Sequence, residues 1–282
     1  MEDAMTDLAA IELGIAHLPL LDIAPPELFD VVAQAGYRRT GLRMYAAAPG
    51  TRHYPVAPGD AAALRRRAQD AGVSIFDAEF VPLSRELRPE SLEGWMEVAA
   101  TLGASRVNCG AGGDDPDPGR AADRFGALCD VAARHGLGVD VEFMRFRPPI
   151  ASIADAVELV TRAGRSNGRI LVDLLHVVRS GGTAADLAKL PASLIGHVQL
   201  SDAPLAAPPA DGLAQEARER RLPPGEGELP LVEMMNALPA GVPLSTEAVT
   251  RGSLPGLSPL DSAKRARTGA MRILARWRPR ND

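Results

Sequence analysis

Eight short apolar runs, each followed by a stretch punctuated like a helix, constrain this chain more than any other feature. They are Ile11–Ala16 with His17 just past its end, Thr40–Met44, Val73–Glu79, Arg106–Cys109, Val139–Glu142, Leu171–Asp173, Ile195–Gln199 and Val242–Glu247. Between them, Pro25-Pro26 opens a helix that Gly36 closes, following the usual placement of Pro at a helix start and Gly past its end. Asp60 is expected to cap the helix that ends at Gly72. Ser91 is expected to cap the next, through Trp95, Val98 and Leu102, with Glu93 in its first turn. Further helices are predicted from Asp117-Pro118 to Arg134, Ser152 to Ala163, Pro230 to Leu238 and Pro259 to Trp277. Eight strand–helix alternations with mostly short connections predict one (β/α)8 TIM barrel over residues 1–282. A doubly wound sheet usually has fewer strands and often a Gly-rich first turn, and no GxGxxG follows the first run.

In a parallel barrel, polar side chains at the C-terminal ends of strands are where chemistry is built. Here four such ends carry oxygen donors: Glu142, Asp173, Gln199 and Glu247. Three carboxylates and an amide oxygen suit a hard divalent ion such as Mn²⁺ or Mg²⁺. Zn²⁺ or Co²⁺ fits less well, because zinc more often recruits His and Cys. A carboxylate beside such an ion can remove a proton next to a polarised oxygen, and Glu142 and Glu247 on opposite sides of a substrate could exchange it. Each residue has a plainer role to set against this. Glu142 has Arg145 and Arg147 to pair with, Gln199 could bond a neighbouring loop, and His176 could pack under the rim. His197 is expected to be structural or to support a site residue from behind, and His17 and His53 to be ordinary loop histidines. Asp173, between Val172 and Leu174, would be costly to bury alone, which favours ligation.

The composition sets the remaining bounds. A hydrophobic content of 46% with 24% charged residues allows a full core, and 4% aromatics leaves Ala, Leu and Val to fill it. A net charge of -5 argues against nucleic acid as the partner. Cys109 and Cys129 form no framework or CxxC pair and read as buried thiols in a reducing compartment. The start lacks a signal peptide's features and no apolar stretch is long enough to span a membrane, so a cytoplasmic protein is expected. Residues beyond Asp202, rich in Ala and Pro and carrying Arg218, Arg220 and Arg221, are expected to form a long loop, a length that in a compact domain goes with function or with disorder. Exposed residues of the last helix could build a homo-oligomer face.

The order Glu142, Asp173-x-x-His176, the strand from His197 to Asp202, Pro224-Gly225-Glu226-Gly227 and Glu247 resembles the xylose-isomerase-like barrel superfamily over nearly the whole chain. The resemblance implies a metal held by Glu142, Asp173, Gln199 and Glu247. Glu142, Glu247 and His176 would handle protons, and His176, Arg43 and Arg220 or Arg221 would contact substrate. It implies a sugar isomerase or epimerase acting on a small polyol, sugar or keto acid. Many epimerases carry His where this chain has Gln199, and Gln there is similar to the metal-dependent 3-dehydroshikimate dehydratases, so a dehydratase is the alternative. Arg43, Arg106 and Arg179, near strand ends, are candidates to hold a carboxylate.

Overall fold

The computed structural model describes residues 11–280. Eight parallel strands close on themselves in chain order: β1 Leu13–Ile15, β2 Arg39–Arg43, β3 Ser74–Leu83, β4 Arg106–Ala111, β5 Gly138–Glu142, β6 Gly168–Asp173, β7 Ile195–Leu200 and β8 Leu244–Thr246. Outside them run α1 Pro25–Gln34, α2 Ala61–Asp70, α3 Glu93–Leu102, α4 Pro118–Arg134 and α5 Ile153–Ala163. These are followed by α6 Leu174–Arg179, α7 Ala184–Ala188, α8 Leu213–Glu219, α9 Leu231–Asn236 and α10 Pro259–Leu274. The predicted barrel is therefore the observed one.

The helices pack through stripes spaced for one buried face. Leu28, Phe29 and Val32 of α1 and Phe125, Leu128, Cys129 and Val131 of α4 are wholly buried against the sheet. Each such Leu, Phe or Val contributes about 1.5–3 kcal/mol by leaving water. Both cysteines are buried free thiols, and burial pushes their acidity down, that of Cys129 to a pKa of about 12. Several caps fall where the sequence places them: the side chains of Asp117, Ser152 and Ser258 accept from Arg120, Asp155 and Asp261 backbone N–H groups. Two do not. Ser91 lies in a tight turn before α3, its hydroxyl spent on the Arg88 carbonyl, and Leu92 takes the cap position. Asp60 occupies its cap position without a side-chain bond.

Inside the barrel, two glycines let side chains cross where a Cβ would block them. Gly196 lies against the Asp140 carboxylate, which pairs with Arg106, and Gly41 lies against Asp77 and Glu79. Register brings the site together: Glu142 pairs with Leu171, Asp173 with Gln199, and Gln199 with Ser245, so the polar ends of β5 to β8 stand side by side.

Candidate metal centre

A cavity of about 400 Å³ opens at the C-terminal ends of the strands, where Glu79, Glu142, His176, Gln199, Glu247 and Arg221 meet. A larger groove, about 760 Å³, lies outside the barrel between α5 and α7 and contains none of the strand-end groups. All six cavity residues just named are buried. Asp173 sits immediately behind this wall, fully buried as the cap of α6, with Oδ1 accepting from the Leu175 N–H at 2.8 Å. The helix it starts turns His176 back over the cavity. Its Nε2 lies 3.6 Å from Glu142 Oε1 and 3.8 Å from Asp173 Oδ2.

Glu142, Asp173 and His176 thus offer three ligand atoms within 4.8 Å of one another, a cluster that could hold a divalent metal ion. Gln199, next in register, donates its Nε2 to Glu247 Oε1 at 3.4 Å, while its Oε1 is buried with no hydrogen-bond partner. A buried acceptor without a donor is costly, and a cation is one group that would satisfy it. Charge gives the same answer. Among the described residues, the arginines in direct ion pairs with Glu79, Asp173 and Glu247 are Arg43 and Arg221, so with Glu142 the four carboxylates, fully ionised, outnumber their paired guanidiniums by two, an excess one divalent cation would offset. The carboxyls register the imbalance. Burial, with Glu247 and Asp173 nearby, holds Glu142 well above the usual range. Glu247 is pushed up to about 8 by burial, with Arg221 opposing and Asp173 and Glu79 adding to it. Burial works against Asp173's charge too, but Arg221, His176 and the Leu175 N–H together outweigh it and the net shift is downward. His176 is lowered to about 4 by burial, so its ring is neutral at pH 7. The residues present fit a hard divalent ion.

The arginines distribute differently from expectation. Arg43 forks onto Glu79 Oε2 through Nε at 3.1 Å and Nη2 at 2.6 Å, Arg106 pairs with Asp140, and Arg179 pairs with Glu216 at 2.7 Å. Each has a carboxylate of the protein itself as partner; Arg43 also lines the cavity, whereas Arg106 and Arg179 do not. Arg220 is exposed, clear of the cavity. Arg221 is the residue of the pair that enters it, spanning Asp173 Oδ2 at 2.5 Å and Glu247 Oε2 at 2.8 Å. Three arginines without a carboxylate partner among the described residues, Arg147, Arg218 and Arg251, line the mouth. Arg218 lies over the Phe146 ring at 5.9 Å, and Phe146 packs edge-on against His176. Burial and the neighbouring Arg218 lower the basicity of Arg147, marking an electropositive corner.

Three other assignments are resolved. His17 is buried, its Nδ1 accepting from the Arg43 N–H at 3.0 Å and its Nε2 3.2 Å from the Ile23 carbonyl. It is therefore part of the scaffold under Glu79. His197 is structural, bonding Ser245 at 2.8 Å. Asp202 accepts from the N–H groups of Ala203, Leu229 and Gly225, so the Pro224-Gly225-Glu226-Gly227 turn is braced by the strand it follows. Glu79 was the omission. It lies within β3, which runs past the predicted end at Glu79 to Leu83, an acid set in an apolar run.

Residues 29–270 match the family described as Xylose isomerase-like TIM barrel. The chain belongs to that family. Among curated proteins it is 28% identical over 243 residues to a 3-dehydroshikimate dehydratase of Pseudomonas aeruginosa, covering 80% of this chain but 36% of that longer protein. Among solved structures, a xylose isomerase domain protein of Alicyclobacillus acidocaldarius superposes with TM-score 0.76 at 22% identity, over 95% of this chain and 99% of that one. A D-psicose 3-epimerase of Clostridium cellulolyticum H10 in complex with D-tagatose superposes with TM-score 0.73 at 16% identity, over 94% and 99%. These likenesses establish the barrel. Among the described residues, no helix is long and apolar enough to cross a membrane.

Proposed function

We propose that this protein is a divalent-metal-dependent dehydratase of a cyclic hydroxy keto acid of the 3-dehydroshikimate class. The observation that carries this reading is the pairing of a Gln199-containing acidic centre with guanidinium groups left without a carboxylate partner among the described residues, Arg147 and Arg218 on the His176 side and Arg251 elsewhere on the wall. A polyol has no negative charge for them to meet, whereas a ring carboxylate does, through charge-assisted bonds. The dehydratase relative from Pseudomonas aeruginosa supports the same substrate class.

Glu142, Asp173, Gln199 and Glu247 would hold Mg²⁺ or Mn²⁺, with His176 close enough to join or to work beside them. Such an ion supplies Lewis-acid polarisation of the substrate carbonyl. Arg147 and Arg218 would orient the carboxylate, and Phe146 would cover one face of the ring. His176, neutral at pH 7, would take the proton from the carbon beside the ketone. The imidazolium so formed can return that proton to the hydroxyl leaving the next carbon. One water departs, and the remaining ring enolises to a dihydroxybenzoate.

A second reading has its own observation. Glu142 and Glu247 both have raised affinity for a proton, the pair an epimerase needs to exchange one between two faces of a carbon. Incubation of chelator-stripped protein with Mn²⁺ and 3-dehydroshikimate separates the two. Metal-dependent growth of aromatic absorbance is expected. Absence of aromatic product, together with solvent deuterium entering a ketose at carbon, would overturn the dehydratase reading in favour of the isomerase.

A further inference from the structure

We infer that Arg179 is a positioning residue that seats α8 as a lid over the cavity and thereby sets where Arg218 stands. The inference rests on the proposed substrate site, but the seat itself is argued from contacts alone.

Of the seven residues of α8, only Leu213, Glu216 and Ala217 are buried. One Leu and one Ala are too little apolar surface to hold a helix that begins after a Pro-rich excursion from Ala203. Glu216 points to the α6 side, where Arg179 meets it with a two-pronged contact, Nε to Oε2 at 2.7 Å and Nη2 to Oε1 at 2.8 Å. The same guanidinium donates to the Pro204 carbonyl at 2.7 Å and the Leu205 carbonyl at 3.2 Å. Arg179 therefore grips both the departure of the excursion and the helix on its return. It does not line the cavity, whereas Ala217, Arg218 and Glu219 of α8 do.

A buried ion pair is a poor source of stability, since apolar residues of similar volume often do as well. Its specific product is registry, and here the registry joins two functional parts. Arg179 closes the short helix that Asp173 caps and His176 occupies. At the far end of α8, Arg221 donates Nε to the Ala217 carbonyl at 2.7 Å and reaches Asp173 and Glu247. The lid is thus held at one end by α6 and at the other by the acidic centre.

The test compares wild type, Arg179→Met, Arg179→Lys and Glu216→Gln. Hydrogen exchange of residues 204–221, Mn²⁺ affinity by calorimetry, and affinity for 3,4-dihydroxybenzoate are measured on each, with turnover of 3-dehydroshikimate. Exchange in that segment is expected to rise at least tenfold in the Met and Gln variants and less in the Lys variant, while the barrel strands stay protected. Mn²⁺ affinity should change less than threefold, dihydroxybenzoate should bind at least tenfold more weakly, and KM should rise more than kcat falls. Unchanged exchange in 204–221 would overturn the seat, and so would strands losing protection together with the lid. Loosening without any loss of dihydroxybenzoate affinity would overturn the positioning role. A wild type that neither turns over 3-dehydroshikimate nor binds dihydroxybenzoate would instead defeat the dehydratase reading and, with it, the positioning role, leaving exchange to decide the seat.

Discussion

The two halves of the barrel mouth carry similar residues to opposite ends. On the β2–β3 side, Glu79 and Arg43 satisfy one another, and His17 is bonded through both ring nitrogens. On the β5–β8 side, among the described residues, the ion-pair neighbour of Glu142 is a neutral imidazole at 3.6 Å, Gln199 Oε1 has no hydrogen-bond partner, and one guanidinium serves two carboxylates. An acid whose charge is met by a fixed cation is architecture. An acid whose charge is not met is a site. Both kinds sit on barrel strands and reach the same cavity, so position alone does not separate them.

Substitutions should break the symmetry in that order. Glu142→Gln or Glu247→Gln, each removing a donor from the unmet set, should lower kcat/KM on the keto acid by at least about a thousandfold while leaving the fold intact. Arg43→Met on the other side should do the reverse. It strands a buried Glu79 and should cost about 3–5 kcal/mol in chemical denaturation, while Mn²⁺ still binds. A smaller effect is expected at the mouth. Arg218→Ala should raise KM about tenfold to a hundredfold for a substrate bearing a carboxylate and not for an uncharged analogue.

The smallest effect concerns pH and the satisfied half. His17 is buried neutral with its pKa lowered to about 4, chiefly by burial, from the ordinary value of 6.5. The unfolded chain takes up the proton first, so this contribution to stability is complete above pH 6.5 and is lost as pH falls toward 4. Between pH 7.5 and pH 5 it amounts to about 2 kcal/mol. His17→Gln should flatten the pH dependence of the denaturation midpoint by about that much, and an unchanged slope would show the ring to be solvated.

Much of this was legible in the chain, for physical reasons. Barrel strands buried on both faces read as unbroken apolar runs, so all eight were visible, and a polar residue closing such a run has few places to be except the rim. The pairings of the rim were not legible. Arg43, Arg106 and Arg179 sit where an anion-binding arginine would, and only tertiary geometry assigns them to Glu79, Asp140 and Glu216. Helix α8 was hidden because Leu213 to Glu219 has good helix formers but almost no apolar stripe, in a Pro-rich setting. Ser91 shows a related limit: a hydroxyl before a helix can equally bond backward into the preceding turn.

The central claim is that the β5–β8 acids hold one divalent cation. The most direct measurement is the thermal midpoint of chelator-stripped protein titrated with Mn²⁺, beside a Glu142→Gln, Asp173→Asn double variant. At a hundredfold excess over Kd the ion should stabilise the wild type by about 2.7 kcal/mol, a rise of roughly 5 °C for a domain of this size. The account predicts a saturable rise in the wild type and none in the double variant. An equal rise in both, or none in either, would contradict it.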